Sequence, residues 1–311
     1  MNYHSELIGD IPTSYISCGT EILDSDSTKE VIVCISGNPG LVEFYEDFIR
    51  EIYVQLGKKI PTLVVGHVGH EGYPPHSTDR MPKLADNGHL YDLDAQIQHK
   101  VDFITRYVPK DAKIYFIGHS IGSWMLVELM KLPEIRQRTI KCYLLFPTLE
   151  RMAITRNGRF LERFIFPLTS VIIYLVGFFF MLPHFVQNFL FWIVLPFLSI
   201  PYSNINTVRH LINPGGLRRI FFLACDEMTR VQELDIETIT ANKHILKLYY
   251  STTDGWVPVD YYREICKKIP GIDAHLDEHN IAHAFVLRSS KEMATIVCKW
   301  IHQDGLKKEF S

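Results

Sequence analysis

No Cys-x-x-C pair occurs among the six cysteines of this 311-residue chain, no basic tract interrupts it, and no Asp, Glu, Lys or Arg stands between Phe164 and Val208. Each absence removes a class of function. With a net charge of -3, the chain has no general attraction for nucleic acid. The cysteines, Cys18, Cys34, Cys142, Cys225, Cys266 and Cys298, are scattered, and Cys34 and Cys142 fall inside apolar strand-like runs. They read as buried thiols of a reducing compartment. The first stretch, MNYHSELIGDIPTS, has neither a basic nor an apolar leader region, so no cleaved signal peptide is expected and the catalytic part is expected to face the cytosol.

What is present begins with Ile114 to Met130, where an apolar run meets Gly118-His119-Ser120-Ile121-Gly122 and continues at helical spacing. A G-x-S-x-G between strand and helix is a nucleophile elbow. A serine in so sharp a turn has a strained backbone, and small residues two before and two after avoid a clash. The following helix aims its free N–H groups at the same spot, so the Ile121 N–H is a candidate oxyanion donor.

Upstream, Val31 to Ser36 is a short β-branched apolar run, as in a strand buried on both faces, and it ends in Ser36-Gly37-Asn38-Pro39-Gly40. Because Pro39 lacks an N–H, the Asn38 N–H is the candidate second oxyanion donor; a plain Asn-Pro-Gly turn is the alternative. Helix (Val42 to Gln55), strand (Thr62 to His67), helix (Leu93 to Tyr107), strand (Ile114 to Gly118) and strand (Ile140 to Phe146) follow. The alternation predicts a mostly parallel sheet with helices on both faces. His67, His70 and His76 in the loop after Thr62 to His67 raise a metal site, but H-x-x-H without an acidic or cysteine ligand at a known spacing favours loop histidines at the active-site edge. Neither a metal nor a cofactor is expected.

The uncharged run from 164 to 208 admits a spanning helix, a buried lid, or an insertion that enters lipid and returns. Prolines at 167, 183, 196 and 201 divide it into Leu168 to Leu182 and His184 to Leu195. These make helices of about 22 and 18 Å, each short of roughly 30 Å of hydrocarbon. Arg151, Arg156, Arg159 and Arg163 before it and Arg209, Arg218 and Arg219 after it agree with a return to one side. A hairpin lodged in a lipid surface is therefore expected, within a cap from 150 to 242 that interrupts a single domain of residues 1–311. A lid folded on the protein is the alternative.

Ser120 needs a base and a carboxylate. Downstream, Asp254 follows the run Ile245 to Ser251, and His283 lies in the loop after Ile272 to Leu276, giving the order Ser, acid, His at strand ends. Asp226 competes as the acid but comes too early, and Asp254-Gly255 could be a β-turn alone. His275 falls on the solvated face of an alternating strand and His279 adjoins Asp277 and Glu278 in a charged patch, whereas His283 sits between alanines before an apolar helix from about Phe285 to His302.

With those residues in place, the chain resembles the lipid droplet-associated hydrolases of the α/β-hydrolase superfamily over nearly its whole length. The resemblance rests on Ser36 to Gly40, Gly66-His67-Val68-Gly69-His70, Gln96-Ile97-Gln98-His99-Lys100, the elbow, Asp254 and His283. It implies an α/β-hydrolase fold, Ser120 as nucleophile, Asp254 as orienting acid and His283 as base. It further implies an apolar insertion that targets lipid droplets and the endoplasmic reticulum, and weak hydrolysis of sterol esters. The expected function is a serine lipid ester hydrolase; the alternatives are a noncatalytic droplet surface protein on a hydrolase scaffold and a soluble esterase with an apolar lid. The expected partners are a lipid ester substrate and, through 164–208, a lipid droplet monolayer or membrane; protein partners are left open.

Overall fold

The structure, a computed structural model, describes residues 1–8, 11–19, 29–70, 81–198 and 200–309. Strands β1 (Asn2–Ile8), β2 (Ile11–Cys18), β3 (Glu30–Ile35), β4 (Thr62–Val65), β5 (Lys113–His119), β6 (Thr139–Leu145), β7 (Leu246–Tyr250) and β8 (Asp273–Leu276) form one sheet in the order β1-β2-β4-β3-β5-β6-β7-β8. From β4 to β8 every pairing is parallel; β1 and β2 add an antiparallel edge.

The central strands are mostly apolar because both faces are covered, with charged residues such as Glu30 and Lys113 at strand starts and Lys247 within β7. Val31, Val33 and Ile35 of β3 enter one core cluster, while Ile32 and Cys34 enter the other. The period of two along a strand thus divides a continuous hydrophobic run between two layers. The longer helices are α1 (Glu46–Gln55), α2 (Leu93–Tyr107), α3 (Ile121–Leu129), α4 (the helical run Arg156–Met181), α5 (His184–Phe197), α6 (Pro214–Arg230), α7 (Val259–Lys268) and α8 (Ser290–Glu309). Residues of α2, α3 and α7 fill the first cluster; residues of α1 and α8 fill the second. The expected α/β-hydrolase sheet is present, and β1 and β2 are additions that sequence reasoning did not reach.

Between β6 and β7 the chain leaves the sheet. Pro167 does not break the helix there, as the division at prolines supposed: α4 runs on through a π-helical turn at Leu161–Ile165 and a 3-10 turn at Phe166–Leu168. Pro167 stands at the start of that tight turn, where a missing N–H is tolerated. The 26-residue run is long and apolar enough to cross a membrane by length and composition. Its length is about 39 Å, although Arg156, Arg159, Glu162 and Arg163 make its first turns polar. Pro183 ends it, and α5 doubles back, with Phe179 and Phe191 edge to face at 5.2 Å.

Only the inner side of this hairpin is buried, at Ile173, Gln187, Phe191 and Leu195. Its outer side leaves Tyr174 at 76%, Met181 at 83%, Phe185 at 75% and Phe197 at 85% exposure. Helix α6 packs against α4. Of the basic residues expected to face headgroups, Arg218 is exposed but Arg219 is buried, its Nε donating to the Gly69 carbonyl at 2.7 Å.

Candidate active site

Strand β5 delivers Ser120 at φ 54°, ψ -121°, ahead of α3. A side chain there in left-handed space is strained, and the turn holds it by the Ser120 N–H donating to the Leu145 carbonyl at 3.0 Å. The flanking glycines are required by space. A Cβ on Gly122 would stand 2.4 Å from the Ile35 carbonyl oxygen, and one on Gly118 would stand 2.8 Å from the Gly122 oxygen.

Strands β7 and β8 end beside this turn. His283 Nε2 is 2.9 Å from Ser120 Oγ, and its Nδ1 is 2.6 Å from Asp254 Oδ2. With Nδ1–H donating to the carboxylate, Nε2 is left as the acceptor for the serine proton. The Asp254 side chain is fully buried. Its other oxygen accepts from the N–H groups of Trp256 (2.7 Å) and Val257 (3.2 Å), which fixes the carboxylate plane. The structure therefore brings Ser120, His283 and Asp254 together in one chain of hydrogen bonds.

The competing residues are elsewhere. Asp226 lies on α6 and accepts from the Leu93 N–H at the start of α2. His275 is exposed and turned to Asp273, and His279 is exposed. Asp277, expected in an exposed charged patch, is instead buried: it accepts from Tyr249 Oη and from the N–H groups of His279 and Ile281, shaping the loop that carries His283. Among the cysteines, Cys225 is exposed, contrary to the expectation of buried thiols.

Two residues that sequence reasoning did not assign join the loops of the site. The Tyr45 hydroxyl accepts from the Gly37 N–H at 2.7 Å and lies 2.6 Å from His119 Nδ1, while His119 Nε2–H donates to the His283 carbonyl at 2.9 Å. Burial holds His119 neutral, its pKa lowered to about 3, with the neighbouring His283 adding to the shift. A neutral ring accepting at one nitrogen and donating at the other is what this relay needs. The sequence showed His119 only as the variable position of the elbow.

Asn38 lines the same cavity as Ser120 and His283, and Ile121 is the first residue of α3. The Asn38 side chain turns to α6, its Nδ2 donating to Glu227 Oε1 at 3.0 Å and to the Ile220 carbonyl at 3.4 Å. His67 and His70 are buried under this loop and not at its edge. His70 Nδ1–H donates to the Pro39 carbonyl at 2.8 Å, and the space for a Cβ on Gly40 is filled by His67. His76 lies outside the described residues. No group of three or more potential metal ligands occurs among the described residues.

The cavity has a volume of about 370 Å³. Leu161 of α4, Ile200 after α5, Leu211, Ile220 and Trp256 give it apolar walls, so it runs from Ser120 to the roots of the hairpin. The root is fastened to the acid loop, where the Asn157 N–H donates to the Gly255 carbonyl at 3.0 Å.

The family model described as lipid-droplet associated hydrolase matches residues 28–286. The chain belongs to that family. A lipid droplet-associated hydrolase of Drosophila melanogaster is 43% identical over 297 residues, covering 95% of this chain and 96% of its own length. The human protein of that name is 32% identical over 99% of this chain and 96% of its own length. Among solved structures, a putative lipase from Acinetobacter baumannii superposes with TM-score 0.64 at 14% identity, covering 98% of this chain and 92% of its own. A haloalkane dehalogenase from Bradyrhizobium elkani reaches 0.67 at 11% identity, covering 98% and 99%. The family's fold is thus that of the α/β-hydrolases.

Proposed function

We propose that this chain is a serine lipid ester hydrolase that works at the lipid droplet surface, with the catalytic part on the cytosolic side. The observation that carries this reading is the hydrogen-bonded chain Asp254–His283–Ser120 at the end of an apolar cavity. In this mechanism His283 takes the proton of Ser120 as Oγ attacks the ester carbonyl. The Ile121 and Asn38 N–H groups hold the oxyanion; His283⁺ then protonates the leaving alcohol, and water, activated by the same base, releases the acid.

The substrate proposed is an ester of a long acyl chain, a sterol ester such as cholesteryl ester in particular. The apolar walls leading to the hairpin support this class, because an acyl chain taken from a lipid surface reaches Ser120 without crossing water. The exposed outer side of α4 and α5 supports a hairpin within the cap of 150–242 that enters a droplet monolayer or the endoplasmic reticulum membrane and returns. The name shared by the relatives supports the droplet as the place of work.

The test is labelling by a fluorophosphonate probe together with turnover of a panel of lipid esters. Ser120→Ala is expected to abolish both. Labelling unchanged in that variant removes the serine mechanism. A noncatalytic droplet surface protein is the second reading, favoured by the hairpin, whose exposed apolar face needs no reaction to bind lipid. It prevails if Ser120→Ala restores every cellular effect and deletion of Leu168 to Leu195 restores none.

A further inference from the structure

Among the described residues that line the cavity, Glu227 is the only carboxylate, and it is 3% exposed. A buried acid in apolar surroundings is costly unless it holds something. What it holds is the Asn38 side chain, through Oε1 at 3.0 Å. Ile220, two helical turns earlier on the same face of α6, offers its carbonyl to the same nitrogen. The residues on either side of Asn38 are also fastened: the Gly37 N–H to Tyr45, and the Pro39 carbonyl to His70. Asn38 therefore sits in a loop held at three successive residues, and α6 supplies the middle hold.

Helix α6 is itself anchored to the body of the protein. Arg219 reaches the Gly69 carbonyl, Asp226 accepts from the Leu93 N–H, and Arg230 makes a bidentate pair with Asp94. Hydrogen bonds donated by the Asn38 side chain to a helix fixed in this way hold its Cα–Cβ bond in place and so limit the φ rotation about N–Cα that sets the direction of the Asn38 N–H.

We infer that Glu227 is a positioning residue for the reaction at Ser120: by holding the Asn38 side chain it keeps the Asn38 N–H aimed at the oxyanion. The inference rests on the serine hydrolase reading above. It also requires Glu227 to be uncharged, because a carboxylate beside the oxyanion would oppose the charge that develops there. Burial, with Asp226 on the same helix adding to it, raises the Glu227 pKa to about 8. The hydrogen bond from Asn38 acts in the opposite direction and is the smaller influence. The titratable groups sharing the cavity, Tyr45, His119 and His283, come from other elements, and His119 is neutral. Near pH 7 Glu227 is a neutral acid that accepts from Asn38 without adding charge; above about pH 8 it ionises.

The experiment compares the full chain, bound to a triolein and phosphatidylcholine emulsion, with Glu227→Ala and Glu227→Gln on a fluorogenic medium-chain ester between pH 6 and about 9.5. Glu227→Ala is expected to lower kcat about tenfold, less than the 10²–10³ of losing a donor outright, with KM within about twofold. Glu227→Gln keeps an acceptor for Asn38 and cannot ionise, so it recovers most of that loss at pH 7. It also removes the alkaline fall of kcat, about tenfold, expected of the wild type. The inference is overturned if Glu227→Ala keeps kcat within about twofold, or if Glu227→Gln retains the alkaline fall. Should Glu227→Ala melt early, the near-isosteric Glu227→Gln profile decides alone. A wild type that neither turns over the ester nor is labelled at Ser120 defeats the serine reading, and the inference with it. A wild type that does both while the variants behave alike defeats the inference only.

Discussion

Around Ser120 the polar groups of the triad and of His119 are paired, each imidazole nitrogen of His283 and of His119 facing a named partner. Along α4 and α5 the situation is reversed, with Phe178, Trp192 and Phe197 exposed. In water, the first arrangement fixes a geometry, since every departure leaves a buried group without a partner. The second costs free energy that only an apolar neighbour returns. The two regions meet at the cavity, whose polar end is the serine and whose apolar walls end at the hairpin. One part of the molecule thus has the fixed polar geometry that the proposed reaction uses, the other the exposed apolar surface that the proposed lipid contact covers.

The largest effect should come from a change of one atom in the polar region. In Asp254→Asn, Oδ1 can still accept from Trp256 and Val257, but an NH₂ group then faces His283 Nδ1. The ring must turn to the tautomer with the proton on Nε2, which cannot accept from Ser120. The expected loss of kcat is about 10⁴-fold, the size seen for the equivalent change in other serine hydrolases, with little change in melting temperature. Steady-state turnover and thermal unfolding on one preparation check it. A loss below about tenfold would mean that the pairing does no chemistry.

The hairpin should respond in the opposite sense. Glutamates at Leu175, Phe178 and Trp192, which are 57%, 57% and 63% exposed, alter no buried contact of the fold. Each side chain transferred to lipid contributes about 1.5–3 kcal/mol, so the triple variant should stay in the aqueous phase when droplets are floated. Turnover of a water-soluble short-chain ester should change by less than about threefold. If the variant still floats, the hairpin is a lid, and the contrast between the two regions fails.

Much of this contrast was legible in the chain. Parallel strands buried on both faces are near-continuous apolar runs, so β3, β5, β6 and β7 could be read despite Lys141 and Lys247, and with them the strand-end positions of Ser120 and Asp254. Strand β2, between β1 and β4, could not, because its buried Thr13 and Ser17 have partners outside the strand, as Thr13 Oγ1 with His99 at 2.7 Å demonstrates. The roles of Tyr45, His119 and Glu227 were hidden for the same reason. The hydrogen bond between Asn38 and Glu227 spans 189 residues, and no local pattern marks either end. At Pro167 the local rule was misleading, since a π turn and a 3-10 turn absorb the proline that was expected to end the helix.

The smallest effect sharpens the comparison within α6 alone, which is fastened by buried contacts such as Arg219 to the Gly69 carbonyl and by the exposed ion pair of Arg230. Arg230 binds Asp94 through two contacts of 2.7 Å, but the side chains are 37% and 69% exposed. Arg230 lowers the Asp94 pKa below its usual value. A lowered carboxyl pKa means stability that is present above the unfolded value of 3.8 and lost as pH falls through the folded one. Exposure screens the pair, so Arg230→Ala should cost no more than about 1 kcal/mol at pH 7, or roughly 2–3 °C of melting temperature. That difference should shrink in molar salt and disappear in acid below the folded pKa of Asp94. Thermal unfolding of the two proteins across pH and ionic strength measures it. A fall in kcat beyond about twofold in this variant would show that the exposed pair, and not only the buried contact at Glu227, governs where α6 holds the loop that carries Asn38.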